Sequence, residues 1–205
     1  MEREQVEKDL QFIKQTMEAS TRYTNLPPLG YLLAGVCGLA GPGLTWLIIG
    51  ADKAADPRLF TGWDVALLAV LWILILAAAA GGSVYLSLAR AEKLGVSALT
   101  PPARRMFSSQ FPLLGAVGVL TLGLFATRDF GLIPALWLLS YGLVLFGFHY
   151  YTGKDHLLQS LIFLALGAVA AFSSGRTALV LMALGFGAVN LAFGVKNLIA
   201  DKELT

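Results

Sequence analysis

The chain has 205 residues, of which 57% are hydrophobic and 14% are charged, and its mean hydropathy is +0.71. Soluble proteins average about 45–50% apolar and about 25% charged residues, so this composition indicates several membrane spans and leaves no room for a separate soluble catalytic domain. The formal net charge of +2 does not indicate nucleic-acid binding, and Cys37, the one cysteine, excludes an intramolecular disulfide and a cysteine-based metal cluster.

Residues 1–25 are polar and predict an amphipathic helix, and residues 26–28 form a proline-rich entry into the first span. Four apolar residues, spaced to share one helical face, are candidates for packing or partner contact: Val6, Leu10, Ile13 and Met17. Acidic and basic residues are nearly balanced here, which favours packing of this face on protein over binding to the membrane surface. A solvated, frayed helix is the remaining alternative.

The central element is residues 65–89, a run without a charged side chain that is long enough as a helix to cross a bilayer core of roughly 30 Å. The run is apolar all round rather than along one stripe, which is typical of a membrane span. Together with five similar runs it predicts an all-α polytopic membrane bundle over residues 29–199, followed by a cytoplasmic tail at 200–205. The predicted transmembrane helices are 29–50, 65–89, 111–127, 130–151, 157–172 and 178–195.

Two breaks stand out along this series of spans. Gly41, Pro42 and Gly43 lie in the middle of the first span and predict a kink, because proline removes a backbone hydrogen bond there. Such a kink is either a helix-packing device or, as in some transporters, part of a substrate path. Residues 90–110 form the longest connection between spans and are the best candidate for a cytoplasmic loop.

The distribution of lysine and arginine predicts the orientation. With the N-terminus in the cytoplasm, 11 of the 15 basic residues fall on the inner side and only Lys53, Arg58, Arg128 and Arg176 on the outer side. Cytoplasmic segments carry the excess of positive charge in membrane proteins. The sequence therefore predicts that both termini are cytoplasmic.

Polar residues inside the spans are few. No predicted span has an Asp, Glu, Lys or Arg in its interior, which argues against a proton- or sodium-driven transporter. Asn190 is the most polar residue deep in the sixth span, and such groups mostly join helices by hydrogen bonds. Gly38 and Gly187 each have an alanine four residues away, a spacing that predicts close helix packing.

His149 and His156 are the two histidines of the chain and flank the cytoplasmic end of the fourth predicted span. Paired histidines can bind haem, a pigment or, with Asp155, a metal ion. Axial haem ligands usually come from facing helices within the bilayer, whereas these two lie at its edge. We therefore interpret them as interface residues, and no cofactor is predicted.

Residues 12–20, which read FIKQTMEAS, are followed by Tyr23, Thr24 and the entry into a span at 28–30. In these positions the chain resembles small bacterial multi-pass membrane proteins with a similar N-terminal helix. The resemblance covers about the first 35 residues and implies a bacterial inner membrane, but it implies no activity, cofactor or site residue.

These observations predict a non-catalytic accessory or scaffold subunit of a larger membrane assembly. Its expected partners are the lipid bilayer and other membrane subunits or further copies of itself, and not nucleic acid. One alternative is a small channel or transporter for a neutral solute, with Pro42 and Asn190 along its path. A weaker alternative is a haem- or pigment-binding subunit that uses His149 or His156.

Overall fold

The computed structural model describes residues 27–93, 95, 101–152, 154–173 and 175–202, and within these ranges the chain is helical and has no β-strand. The helices are α1 Pro28–Ala55, α2 Gly62–Lys93, α3 Pro101–Ser108, α4 Phe111–Thr127, α5 Ile133–Thr152, α6 Lys154–Ala171, α7 Gly175–Met182 and α8 Asn190–Lys202. A π-helical segment, Ala183–Val189, joins α7 to α8, and short 3₁₀ turns lie at Pro57–Leu59 and Phe130–Leu132.

Six stretches are long and apolar enough to cross a membrane: Pro28–Ala55, Gly62–Lys93, Ala103–Thr127, Phe130–Thr152, Lys154–Ala171 and Gly175–Ala200. Each overlaps one of the six predicted spans, so the all-helical part of the prediction is confirmed. The six stretches are consistent with a multi-pass membrane protein. The predicted amphipathic helix, with Val6, Leu10, Ile13 and Met17, lies outside the described residues.

The helices extend further than hydropathy predicted. The connection at 90–110, predicted as a loop, is largely helical, because α2 continues to Lys93 and α3 occupies Pro101–Ser108. Ala103 and Met106, on one face of α3, are fully buried against α5 side chains Phe148 and Tyr151. This short helix therefore lies on the end of α5.

The first helix begins and bends at residues suited to each role. Pro28 starts α1, where its missing N–H costs no hydrogen bond. The backbone leaves helical geometry at Gly50, whose φ of 78° and ψ of 169° favour glycine. Pro42 is buried and keeps helical dihedral angles, so the departure from helical geometry lies eight residues after the predicted kink.

Helices α5 and α6 form the best-packed pair, with backbones in close contact through reciprocal glycines. A Cβ atom on Gly142 would lie 3.1 Å from the Leu164 nitrogen, and one on Gly167 would lie 2.8 Å from the Leu139 nitrogen. Around these contacts lies an apolar core of Ala135, Leu138, Leu145, Phe163 and Ala170.

Helix α1 packs on the segment Ala183–Val189 and on α8 in the same way. A Cβ atom on Gly38 would overlap the backbone of Phe186, and one on Gly187 would overlap the side chain of Leu39. The predicted packing residues Gly38 and Gly187 therefore lie in one interface. This contact joins the first span to the last.

Helices α2 and α4 lie at the periphery: α2 packs mainly on α1, and α4 mainly on α5. A reciprocal cap starts α2, because the Thr61 N–H donates to Asp64 Oδ2 over 2.7 Å and the Asp64 N–H donates to Thr61 Oγ1 over 3.2 Å. Lys53 Nζ, near the end of α1, also donates to Asp64 Oδ2, over 2.6 Å.

Candidate functional site

A cluster of polar side chains lies among α1, α5, α6 and α8, near the end of the bundle at which α1 and α6 begin. Tyr31 of α1 and His156 of α6 are joined by a hydrogen bond of 2.6 Å between the Tyr31 hydroxyl and His156 Nε2. His156 is buried, whereas Tyr31 is half-buried. The bond connects residues 125 positions apart and ties the start of the first helix to the start of α6.

One helical turn deeper, Gln159 and Asn190 connect α6 to α8. Gln159 Nε2 donates to Asn190 Oδ1 over 2.8 Å, and Asn190 Nδ2 donates to the Phe186 carbonyl over 2.9 Å. Gln159 is 0% exposed and Asn190 is 1% exposed. Asn190 thus satisfies a carbonyl of the π-helical segment and links that segment to α6.

The direction of this chain of bonds is fixed by chemistry. The Phe186 carbonyl can only accept, so Asn190 must present its NH₂ group there and its oxygen to Gln159. Gln159 must then present its own NH₂ group to Asn190, which leaves Gln159 Oε1 as a buried acceptor with no hydrogen-bond partner among the described residues. An unmet buried acceptor of this kind costs about 1–3 kcal/mol.

Ser160 and an aromatic group complete the cluster. Ser160 Oγ donates to the Gly142 carbonyl of α5 over 2.8 Å, which adds a hydrogen bond to the close α5–α6 contact. The rings of Tyr141, Phe163 and Phe186 pack on one another, with centroids 4.7 to 5.2 Å apart. Each ring belongs to a residue within four positions of a hydrogen-bonding group of the cluster.

Toward the end of the bundle, Lys196 Nζ of α8 donates to Asp155 Oδ1 of α6 over 2.6 Å. Both side chains are about half exposed, so this ion pair is open to the surroundings. Asn190 lies six residues, or about 9 Å along a helix, deeper than Lys196. The ion pair therefore stands between the buried carboxamides and the end of the bundle.

The spacing of residues along α6 explains how the cluster forms. His156, Gln159, Ser160, Phe163, Gly167 and Ala170 are all buried and lie at positions i, i+3, i+4, i+7, i+11 and i+14 of the helix. Residues at this spacing share one face of a helix. Sequence reasoning predicted Asn190 as a contact residue but missed Gln159 and Ser160, which this periodicity of α6 could have indicated. It also missed Tyr31 of α1, for which the spacing along α6 carries no signal.

The two histidines have different hydrogen-bond partners. His149 is on α5, where its Nδ1 atom bonds to the carbonyl of Phe146 and its ring lies against Tyr150. His156 Nε2 is engaged by Tyr31 instead. Within the described ranges, no group of three or more His, Cys, Asp or Glu residues could hold a metal ion.

The other predicted contact residues within the described ranges are Gly38, Pro42, Gly187 and Asn190. Gly38 and Gly187 lie in the interface between α1 and the last span, and Pro42 is buried on α1. Asn190 contributes to the polar cluster. Of these residues, the structure brings Gly38 and Gly187 together.

Comparisons with family models, with curated proteins and with solved structures gave no match to this chain. The buried groups of the cluster are two carboxamides, one hydroxyl and an imidazole, and the nearest ion pair, Lys196–Asp155, is balanced in charge. Such a set is suited to hydrogen bonding with neutral groups.

Proposed function

We propose that the chain is a non-catalytic subunit of a larger membrane assembly and that it contacts its partner through α2 and α4. The observation that carries this proposal is that two of the six long apolar stretches are much less buried within the chain than the other four. Only 6% of the most apolar stretch of α2 and 11% of that in Ala103–Thr127 are buried within the chain, against 33–39% in the other four stretches.

Exposed apolar helices such as α2 and α4 can be covered by lipid alone, so their exposure does not by itself indicate a protein partner. The positions of the glycines are stronger evidence for one. Every described glycine from Gly142 to Gly194 lies against a side chain or backbone of another segment. In α4, by contrast, Gly115, Gly118 and Gly123 each face open space. Open glycines also occur outside α4, for example Gly43 of α1 and Gly81 of α2, but α4 alone among the described helices carries three of them. This set supports a contact with a helix from outside the chain.

The bare face of α4 has the shape that such a contact needs. Gly115 and Gly118 form a shallow notch, and the exposed apolar residues of the same face are Phe111, Val119 and Leu122. A membrane-spanning helix with a bulky apolar ridge fits this surface. We assign that helix to another subunit, and we place the assembly in a bacterial inner membrane with both termini cytoplasmic, as the basic residues favour.

Photocrosslinking tests this contact. A photoreactive benzoylphenylalanine in place of Leu122, which is 71% exposed, should form an adduct with a membrane protein subunit in intact cells. The same residue in place of Leu161 of α6, which is 52% exposed, should form adducts mainly with lipid. Mass spectrometry of the adducts identifies the partner.

The glycine notch provides the control. In the Leu122 probe background, Gly118→Leu fills the notch and should remove the protein adduct, whereas Gly43→Leu adds the same side chain at an open site on α1 and should leave it unchanged. Equal adducts from the two probe positions would contradict the proposal. An adduct with a second copy of this chain would show that the partner is the chain itself, in a homo-oligomer, and not a different subunit.

A channel or transporter for a neutral solute is the second candidate, and the polar cluster is the observation that favours it. Purified protein in proteoliposomes should then move urea or glycerol, and Asn190→Leu should abolish this movement. Thr121→Val is the control, because the Thr121 hydroxyl donates only to the Val117 carbonyl of its own helix. Unchanged movement in Asn190→Leu would remove Asn190 from the path, and no movement in the wild type would reject the candidate.

A further inference from the structure

Gln159 Oε1 is the group in the bundle core that most clearly requires a ligand. It is a strong acceptor on a side chain that is 0% exposed, and no described residue donates to it. Rotating the amide does not solve this, because Asn190 and the Phe186 carbonyl fix which atom faces which neighbour. Swapping the atoms would place two oxygens against each other.

We propose that this acceptor holds one small uncharged molecule, which donates a hydrogen bond to Gln159 Oε1. The complete burial of Gln159, Ser160 and Asn190 limits the ligand to a few atoms, so water and ammonia are the chemical class that fits. This site is separate from the docking surface on α4, and the failure of either proposal leaves the other standing.

The surroundings explain why the ligand is neutral. The buried partners Asn190 and Ser160 present no charge, and Phe163, one turn from Gln159 on α6, packs against Phe186 with ring centroids 5.2 Å apart. A buried cation would need an unpaired carboxylate, whereas the carboxylate of Asp155 is paired with Lys196. An uncharged donor satisfies the carboxamide without that requirement.

Infrared spectroscopy of the labelled carbonyl measures the hydrogen bond directly. The full chain is prepared in lipid nanodiscs with glutamine carrying ¹³C at the side-chain carbonyl, and the Gln159 band is isolated by subtracting the spectrum of Gln159→Met. A carbonyl that accepts a hydrogen bond absorbs at a lower frequency than a free one. The label leaves the wild-type protein unperturbed, so a variant enters only through the subtraction, and Gln159→Met must first show the helical circular dichroism spectrum of the wild type.

Three outcomes of this measurement distinguish water, ammonia and the absence of a ligand. A hydrogen-bonded band in buffer without added solute, replaced by a free band after dehydration of the sample, identifies resident water. A free band in sodium chloride that becomes bonded in ammonium chloride at the same alkaline pH identifies ammonia. A free band under both conditions overturns the proposal.

The hydroxyls of the cluster provide the control for a donor within the protein. Tyr141→Phe and Tyr31→Phe each remove one phenol hydroxyl and should leave a bonded Gln159 band in place. A band that becomes free in either variant shows that this tyrosine supplies the hydrogen bond, and it overturns the proposal.

Discussion

Replacing Gly38 with alanine is expected to destabilise the bundle by about 3 kcal/mol or more, the upper part of the range for overpacking a core. The added Cβ atom would overlap the carbonyl group of Phe186 and lie 2.7 Å from the nitrogen of Gly187. Both neighbours are backbone atoms, so no side-chain rotation can relieve the overlap. The free energy of unfolding, measured by denaturant titration in mixed micelles, reports the loss.

Gly43→Ala is the matched control, because Gly43 lies on the same helix and a Cβ atom there meets open space. This variant should stay within about 0.5 kcal/mol of the wild type. Equal losses in the two variants would show that the cost comes from the helix itself and not from the contact between α1 and the last span.

The second large effect is expected from the bond between Gln159 and Asn190. Gln159→Leu removes the donor to Asn190 Oδ1 and leaves that buried oxygen unpaired. With Gln159 Oε1 satisfied by the proposed small donor, nothing offsets this loss, which should be about 1–3 kcal/mol. Asn190→Leu should cost at least as much, because it also removes the donor to the Phe186 carbonyl. Unfolding free energies of the two single variants and the double variant measure the coupling between the side chains.

The coupling should be about 0.6–1.7 kcal/mol, the range found for hydrogen bonds between membrane helices. Thr121→Val is again the control and should be nearly neutral, because its hydroxyl bonds only within α4. Strictly additive losses from Gln159→Leu and Asn190→Leu would contradict the 2.8 Å bond between the two carboxamides.

The six long apolar helices were predictable because the signal for each is local. A run such as residues 65–89 can be predicted as a long apolar helix from its own residues, without reference to its neighbours, since lipid accepts apolar side chains on every face. Helix ends were less predictable: α6 starts at Lys154 rather than near Leu157, so His156 and its hydrogen bond to Tyr31 fall inside the helix. A hydropathy pattern cannot predict that a polar residue such as His156 lies inside a helix, because its hydrogen-bond partner, Tyr31, is far away in the sequence.

The polar cluster could be predicted only in part for the same reason. Asn190 stood out because it is a lone carboxamide in an apolar run, whereas Gln159 lies close to the polar turn before α6 and did not. Their meeting depends on the π-helical segment Ala183–Val189, which ends immediately before Asn190. No periodic pattern in the sequence indicates that segment.

The contact of α1 with the last span sets an order of events during synthesis. Gly38 and the residues it meets, Phe186 and Gly187, are about 150 positions apart in the chain. At a synthesis rate of about 5–20 residues per second, the ribosome needs roughly 8–30 s to make the residues between them. The glycine face of the first helix is therefore without its partner during this time, and in the proposed membrane protein it would be covered by lipid or by another protein. A chain truncated before residue 183 never completes this contact, and cellular quality control should recognise it through that exposed face.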